Sequence, residues 1–350
     1  MFHFRFTAYK LPRSEHLTDV EKLHNQSVPF LDKGTAYAYM NNQNQAWKLS
    51  TLSINDTQSL PAKTLSPLYT IDFADPNNKI GYILYNDQAD KITVTKGHTK
   101  GVIIFDETSV VWLVHSIPHY PPKPSAKAYA INPSQCVYGQ SMVCLSMSVD
   151  QLEKISQQLL YTFPQVYDYY IPQSLQKVND NAFKQLMDVI NGAHVNEAPW
   201  YNLNYFATLA GEKFLHLAKF TNFQDDLFAG LVAETLLSDL FTETWNNGPG
   251  TLPSNCTAKL PYHVYNIEKV RFNFDDSATV SFSVHHDHSK WAVTSFKTRH
   301  VLNKNNYDYI EPQVKVACIG DINRQEDQYK RAGGLFCFMN NMNTWQEYSK

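Results

Sequence analysis

The alternation of apolar and polar positions begins with Phe2, Phe4 and Phe6 set against His3, Arg5 and Thr7, the two-residue period of a half-buried strand that Leu11-Pro12 closes. Residues 36–40, ahead of Asn41-Asn42, and residues 80–85 read as further strands, whereas polar, proline-containing residues 51–66 read as surface loop and short helix. Residues 102–105 and 110–114 are β-branched or aromatic runs separated by Asp106-Glu107-Thr108-Ser109, which predicts a hairpin. Such a hairpin places His98 and Lys100, just before its first strand, on the same edge as His115, just after its second. Residues 142–147 make another strand. Ser148-x-x-Gln151 then caps a helix with Leu152, Ile155 and Leu159 on one face, and Asn179 opens a second carrying Phe183, Leu186, Met187 and Ile190 up to Gly192. From Phe206 the pattern restarts: a strand over 213–220, a helix over 226–239, then strands over 241–245, 262–272 and 314–318.

Each part of the chain also holds a His-x-Lys at the mouth of an apolar segment, in GHTKGVIIFD (97–106) and in DHSKWAV (287–293). Two imidazoles and two ammonium groups of this kind suit one shared phosphate. Chance supplies roughly one such match in a chain of this composition, so the pair carries weight only through its context. That context is a strand beside each pair and, after the second, Gly320-Asp321-x-Asn323. A duplicated α/β unit is therefore expected, residues 1–200 bearing the first pair and 201–350 the second. His115-x-x-x-His119 has metal-helix spacing, but Pro118 forbids the helix. His285-His286-Asp287-His288 reads as a solvated turn contributing one histidine, because alternate side chains of an extended segment diverge. Neither G-x-S-x-G nor a P-loop occurs, which excludes those hydrolase classes, and no metal or cofactor is expected.

With 350 residues, 43% apolar and 18% charged, the chain is globular rather than disordered. No apolar run reaches the roughly 18 residues of a membrane span, so no membrane partner is expected. No leading segment reads as a signal peptide, which leaves lysosomal or secreted (if processed from a precursor), periplasmic and cytoplasmic readings open. The formal charge of −3 argues against a constitutively basic nucleic-acid binder, yet protonating all 13 histidines would bring it to about +10. Such a chain would hold polyanions in acid only. Five cysteines without a C-x-x-C exclude a thiolate zinc site, and sequons at Asn25, Asn55 and Asn255 carry glycans only in a secretory pathway.

Seven motifs in order, among them GHTKG with Asp106, Trp112-Leu113-Val114-His115-Ser116-Ile117-Pro118, Tyr138-Gly139-Gln140-Ser141, Leu252-Pro253-Ser254-Asn255-Cys256, His288-Ser289-Lys290-Trp291 and Cys318-Ile319-Gly320-Asp321-Ile322-Asn323-Arg324, resemble the deoxyribonuclease II family from Tyr9 to Cys337. The resemblance implies an α/β, phospholipase D-like fold of two pseudo-symmetric halves, each with mixed sheets flanked by helices and each giving a His-x-Lys to one site. It implies a metal-independent acid endonuclease cutting double-stranded DNA to 3′-phosphate and 5′-hydroxyl ends through a phosphohistidine. His98 is then the nucleophile and His288 the general acid, the reverse remaining open by pseudo-symmetry. Lys100, Lys290 and Asn323 surround the phosphate, and His115 stands in for the asparagine that the family's Gly-Ser-x-Asn pattern would supply in the first half. Asp321, Arg324, Gln140 and Ser116 are the implied substrate-binding residues. Cys318 and Cys337 match a family disulfide, which leaves Cys144 with Cys136 as an alternative pair and Cys256 free. DNA is the expected partner and a homodimer is left open. The competing readings are a phosphodiesterase of the same fold acting on another diester, and a catalytically silent nucleic-acid-binding protein.

Overall fold

A computed structural model describes residues 5–22, 28–90, 92–176, 180–257, 260–274, 278–303, 306–310 and 314–350. Its first strands are β1 (Arg5–Lys10), β2 (Leu17–Lys22), β3 (Tyr37–Asn41), β4 (Lys48–Leu49), β5 (Gly81–Asn86), β6 (Lys100–Phe105), β7 (Ser109–His115), β8 (Gln140–Ser148) and β9 (Val166–Tyr170). Among them lie α1 (Leu60–Thr70), α2 (Leu152–Thr162), α3 (Gln173–Gln176) and α4 (Asp180–Ile190). There follow β10 (Tyr201–Ala207), β11 (Lys213–Lys219), α5 (Ala233–Leu236), β12 (Leu240–Glu243), β13 (Val264–Asn266), β14 (Lys269–Phe274) and β15 (Ala278–Ser283). The chain closes with β16 (Trp291–Thr294), β17 (Thr298–Asn303), β18 (Asn306–Ile310), β19 (Ala317–Gly320), β20 (Gly333–Phe338) and α6 (Met342–Ser349).

Two large sheets dominate, ordered β4-β3-β1-β8-β7-β6-β5-β9 and β10-β11-β20-β19-β16-β12-β13. The first is antiparallel throughout, and the second has a parallel pair only at β12–β13. Five strands of each follow the same neighbour order. The series β5-β6-β7-β8-β1 in one matches β12-β16-β19-β20-β11 in the other, and in both a helix precedes the first member of the series and another follows the fourth. The two His-x-Lys pairs stand at the start of corresponding strands, β6 and β16. A third sheet, β14-β15-β2, joins the N-terminal region to the C-terminal one.

The period-2 alternation explains the layers. Tyr82, Leu84, Val102, Ile104, Leu113 and Cys144 face α1, while Ile83, Tyr85, Ile103, Phe105, Trp112 and Leu145 face the central core with α2 and α4. The second sheet contributes Phe214, Trp291, Phe336 and Phe338 to that core, and turns Leu215, Leu217, Ala292 and Leu335 towards Leu231, Val232 and Leu236. Both sheets are thus covered on both faces, which is why β1, β5, β6 and β7 are buried at every residue. Where the sheets meet, the Trp112 ring lies edge-on to Phe336 at 4.7 Å, and its indole N–H donates to the Tyr85 hydroxyl at 2.9 Å.

Several sequence expectations shift. Residues 2–4 and Asn179 lie outside the described residues. The segment read as surface loop and short helix does hold a helix, but one packed into the core and running on to Thr70: Ser59 caps α1 through the Ala62 N–H, and Leu65 and Leu68 are buried beneath the first sheet. The helix over 226–239 is a π-turn (Phe228–Val232) followed by the short α5, ended by Leu237 at φ 51°.

Candidate active site

Gly97 delivers β6 to the site. Its N–H donates to the Phe163 carbonyl at 2.8 Å, and a Cβ here would stand 1.9 Å from the Thr162 carbonyl oxygen, so only glycine passes. His98 is held from the other half of the chain: its N–H donates to the Ala332 carbonyl at 2.8 Å and its Nδ1 lies 2.7 Å from the Asp321 carbonyl oxygen. A carbonyl can only accept, so Nδ1 carries the proton and Nε2 presents a lone pair. Asp87, directly after β5, accepts from Lys100 at 2.6 Å and from Arg331 at 2.9 Å, and lies 4.0 Å from His98 Nε2. Burial alone would push the Asp87 carboxyl up, but the Lys100 and Arg331 charges hold it well below the ordinary range. His98 itself is kept neutral by burial and then by the Lys100 charge, against the opposing pull of Asp87.

The second histidine has different company. Gly139 donates to the His286 carbonyl and accepts from the His288 N–H, both at 2.9 Å, stitching the start of β8 to this turn. The Tyr138 ring stacks parallel on the His288 ring at 4.8 Å and Trp245 meets it edge-on at 3.8 Å, while Nε2 is buried without a partner. Burial, then Lys290 and Lys100, lower this imidazole to about 2. The Lys290 ammonium donates to the His288 carbonyl at 2.6 Å and is lowered to about 7 by burial and by Lys100. Beneath it Asp287 accepts from the Tyr9 hydroxyl, from the Ser289 hydroxyl at 2.6 Å and from the Ser289 N–H at 3.0 Å. Glu243 is fully buried beside Asp287, and burial followed by Asp287 raises it well above a normal glutamate, which favours its neutral form. The turn read as solvated therefore has Asp287 turned inward, with only His285 exposed among the four.

One loop ties the two pairs together. The Gly320 N–H donates to the Lys290 carbonyl at 2.9 Å, and the next carbonyl, that of Asp321, holds His98. The Asp321 carboxyl accepts from the Gly334 N–H at 3.0 Å and is raised to about 7 by burial. Asn323 is buried, its oxygen accepting from the Trp245 N–H at 3.3 Å. His115 ends β7. Its Nδ1 accepts from the Ile117 N–H at 3.2 Å, so the proton sits on the buried, unpartnered Nε2, and burial with the Lys100 charge lowers it to about 3. Ser116 donates to Gln140 at 2.5 Å and accepts from the Ser141 N–H at 3.0 Å, and the Ser141 hydroxyl accepts from the Lys290 N–H at 3.4 Å. Ser116 and Gln140 thus brace β8 against the second pair. Arg324 is buried, donating to Asp226 at 2.9 Å and to Asn266, so its charge is spent behind the loop. His119 bonds to the Ala89 carbonyl at 3.0 Å, apart from His115, and among the described residues no three His, Cys, Asp or Glu side chains gather as a metal site.

The family model for deoxyribonuclease II matches residues 6–350. The chain belongs to the deoxyribonuclease II family. It is 33% identical to bovine (Bos taurus) deoxyribonuclease-2-alpha over 95% of this chain and 82% of the relative. It is 34% identical to human (Homo sapiens) deoxyribonuclease-2-beta over 98% and 84%, and 34% identical to plancitoxin-1 of Acanthaster planci over 96% and 84%. In this deoxyribonuclease II chain, Cys318 and Cys337 form the expected disulfide, as direct partners across β19 and β20. Cys136 and Cys144 do not pair: both are buried free thiols, one donating to the Asn132 carbonyl at 3.4 Å and the other inside β8. Cys256 is free and exposed. Asp87, Arg331, Glu243 and Trp245 were missed. Only Glu243 left a trace, as a charge at the end of the apolar strand β12.

Proposed function

We propose that this chain hydrolyses DNA phosphodiesters between His98 and His288, without a metal, leaving 3′-phosphate and 5′-hydroxyl ends. The hydrogen bond from His98 Nδ1 to the Asp321 carbonyl carries the reading, because it aims an Nε2 lone pair and waits to stabilise the positive ring formed by attack. Nε2 attacks phosphorus as the P–O5′ bond breaks, and protonated His288 gives its proton to the departing O5′. Water then attacks the phosphohistidine, the P–N bond breaks, and neutral His288 takes the water proton, which restores both rings. Lys100, Lys290, Asn323 and the Nε2–H of His115 supply fixed charge and donors to the phosphate oxygens. The division near residue 200 belongs to the same proposal, supported by the matching strand orders.

Acid dependence follows from the electrostatics. Burial favours the neutral form of both imidazoles, whereas the cycle needs His288 protonated, so the competent state grows as pH falls and as a phosphate anion offsets the desolvation. An acidic compartment, lysosomal or extracellular, suits that behaviour. Plasmid cleavage at pH 5 in excess EDTA, with end-group analysis, is expected to give 3′-phosphate termini. Equal activity at pH 7.5 overturns the acid account, EDTA sensitivity overturns metal independence, and turnover of another diester without DNA cleavage overturns the substrate.

A further inference from the structure

Two residues before His98, the Lys96 ammonium sits 3.7 Å from the centre of the Phe163 ring. The His194 ring stacks on that same phenyl ring at 4.6 Å and 15°, and leans on Phe220 at 5.1 Å, which in turn lies against Trp200 at 6.0 Å. Phe163 ends α2 with φ 47° and ψ 61°, a left-handed conformation that a bulky residue adopts at a cost and that clusters where geometry serves function. Its carbonyl receives the Gly97 N–H, while the Lys96 carbonyl receives Arg331 Nε at 2.8 Å. The turn from Gly192 wraps the ammonium so closely that a Cβ on that glycine would lie 3.2 Å from Lys96 Nζ. Among the described residues neither Lys96 nor His194 pairs with a carboxylate. A cation held by aromatic rings rather than by an acid keeps its charge available to an anion.

Two residues span at most about 7 Å, so this ledge adjoins the His98 side of the phosphate site. We propose that Lys96 and His194, both seated on Phe163, form a subsite for the DNA backbone phosphate next to the one that His98 attacks. The proposal rests on the DNA-cleaving reading and deepens it: the scissile phosphate is held by Lys100 and Lys290, and its neighbour by the ledge. Phe163 is a positioning residue, fixing Lys96 by its ring and Gly97 by its carbonyl.

The test compares Lys96→Met, which keeps the stem against Phe163, and Lys96→Arg, which keeps the charge, on a duplex oligonucleotide and on bis(p-nitrophenyl) phosphate, a diester too small to reach the ledge. On the duplex, K96M is expected to lose about tenfold in kcat/KM, and the slope of log kcat/KM against log salt to shrink by about 0.9, the signature of one lost phosphate contact, while K96R keeps the wild-type slope. The loss on the small diester is expected to be several-fold smaller. Equal losses on the two substrates, or an unchanged salt slope in K96M, would overturn the subsite and assign the ledge a structural role. A wild-type protein that cleaves the small diester but no DNA overturns the function reading instead, and the subsite with it.

Discussion

The two His-x-Lys pairs lead into corresponding strands yet live in opposite surroundings. His98 is tethered at Nδ1 to a carbonyl and neighbours a carboxylate already shared by Lys100 and Arg331. His288 is clasped by Tyr138 and Trp245 and has no partner at Nε2, and the two buried acids of this half, Asp287 and Glu243, act on its Lys290. Tethering fixes which nitrogen of His98 is free, as a nucleophile requires. Aromatic walls leave the proton count of His288 to be set by its ligand, as an acid that must also become a base requires. Two matching motifs have thus been given unequal surroundings by the residues behind them.

The largest expected effect would reverse or fix these roles. His98→Ala should abolish turnover of every diester, a loss on the order of 10⁶-fold. His288→Ala should cost about 10²–10⁴-fold on DNA but far less in the first-turnover burst of p-nitrophenolate from a p-nitrophenyl diester, whose leaving group needs no proton. The opposite pattern in first-turnover rates would exchange the two assignments.

Next comes the charge beneath each pair. Asp87→Asn strands Lys100 and Arg331 without their carboxylate and should cost about 3–5 kcal/mol in urea unfolding. Glu243→Gln replaces a neutral acid by a neutral amide and should change stability at pH 4 by less than about 1 kcal/mol. Because the folded protein holds the Glu243 proton well above the glutamate range while the unfolded chain releases it, wild type loses stability as pH rises through that range. E243Q should therefore be the more stable of the two at pH 7, and a wild type that stays ahead there would show that the carboxyl is ionised.

A smaller effect concerns the shared loop. Asp321, raised to about 7, is a neutral acid at pH 5 and a carboxylate beside the phosphate site above pH 7. Asp321→Asn keeps the Gly334 bond and removes that charge, so the alkaline limb of the kcat/KM profile should move upward. An unmoved limb would place the titration elsewhere.

The strands that build the first site were legible because both faces are covered by apolar layers: the hairpin β6–β7 and the strand β8 stand where the runs of β-branched residues put them. The edge strands β4 and β9 were not, being short or half-buried. His98, Lys100, His288 and Lys290 were readable as a motif, whereas Asp87 and Arg331 meet only through tertiary contact and carry no spacing to read. Arg324 and Gln140 show the converse limit, since polar residues inside a motif can be spent on holding it.

The bond from the His98 N–H to the Ala332 carbonyl has a consequence for synthesis. The first histidine of the site is made more than 200 residues before the backbone that seats it, and β2 likewise waits for β15, on which it pairs. A growing chain therefore cannot seat His98 until the segment that carries Ala332 has been made.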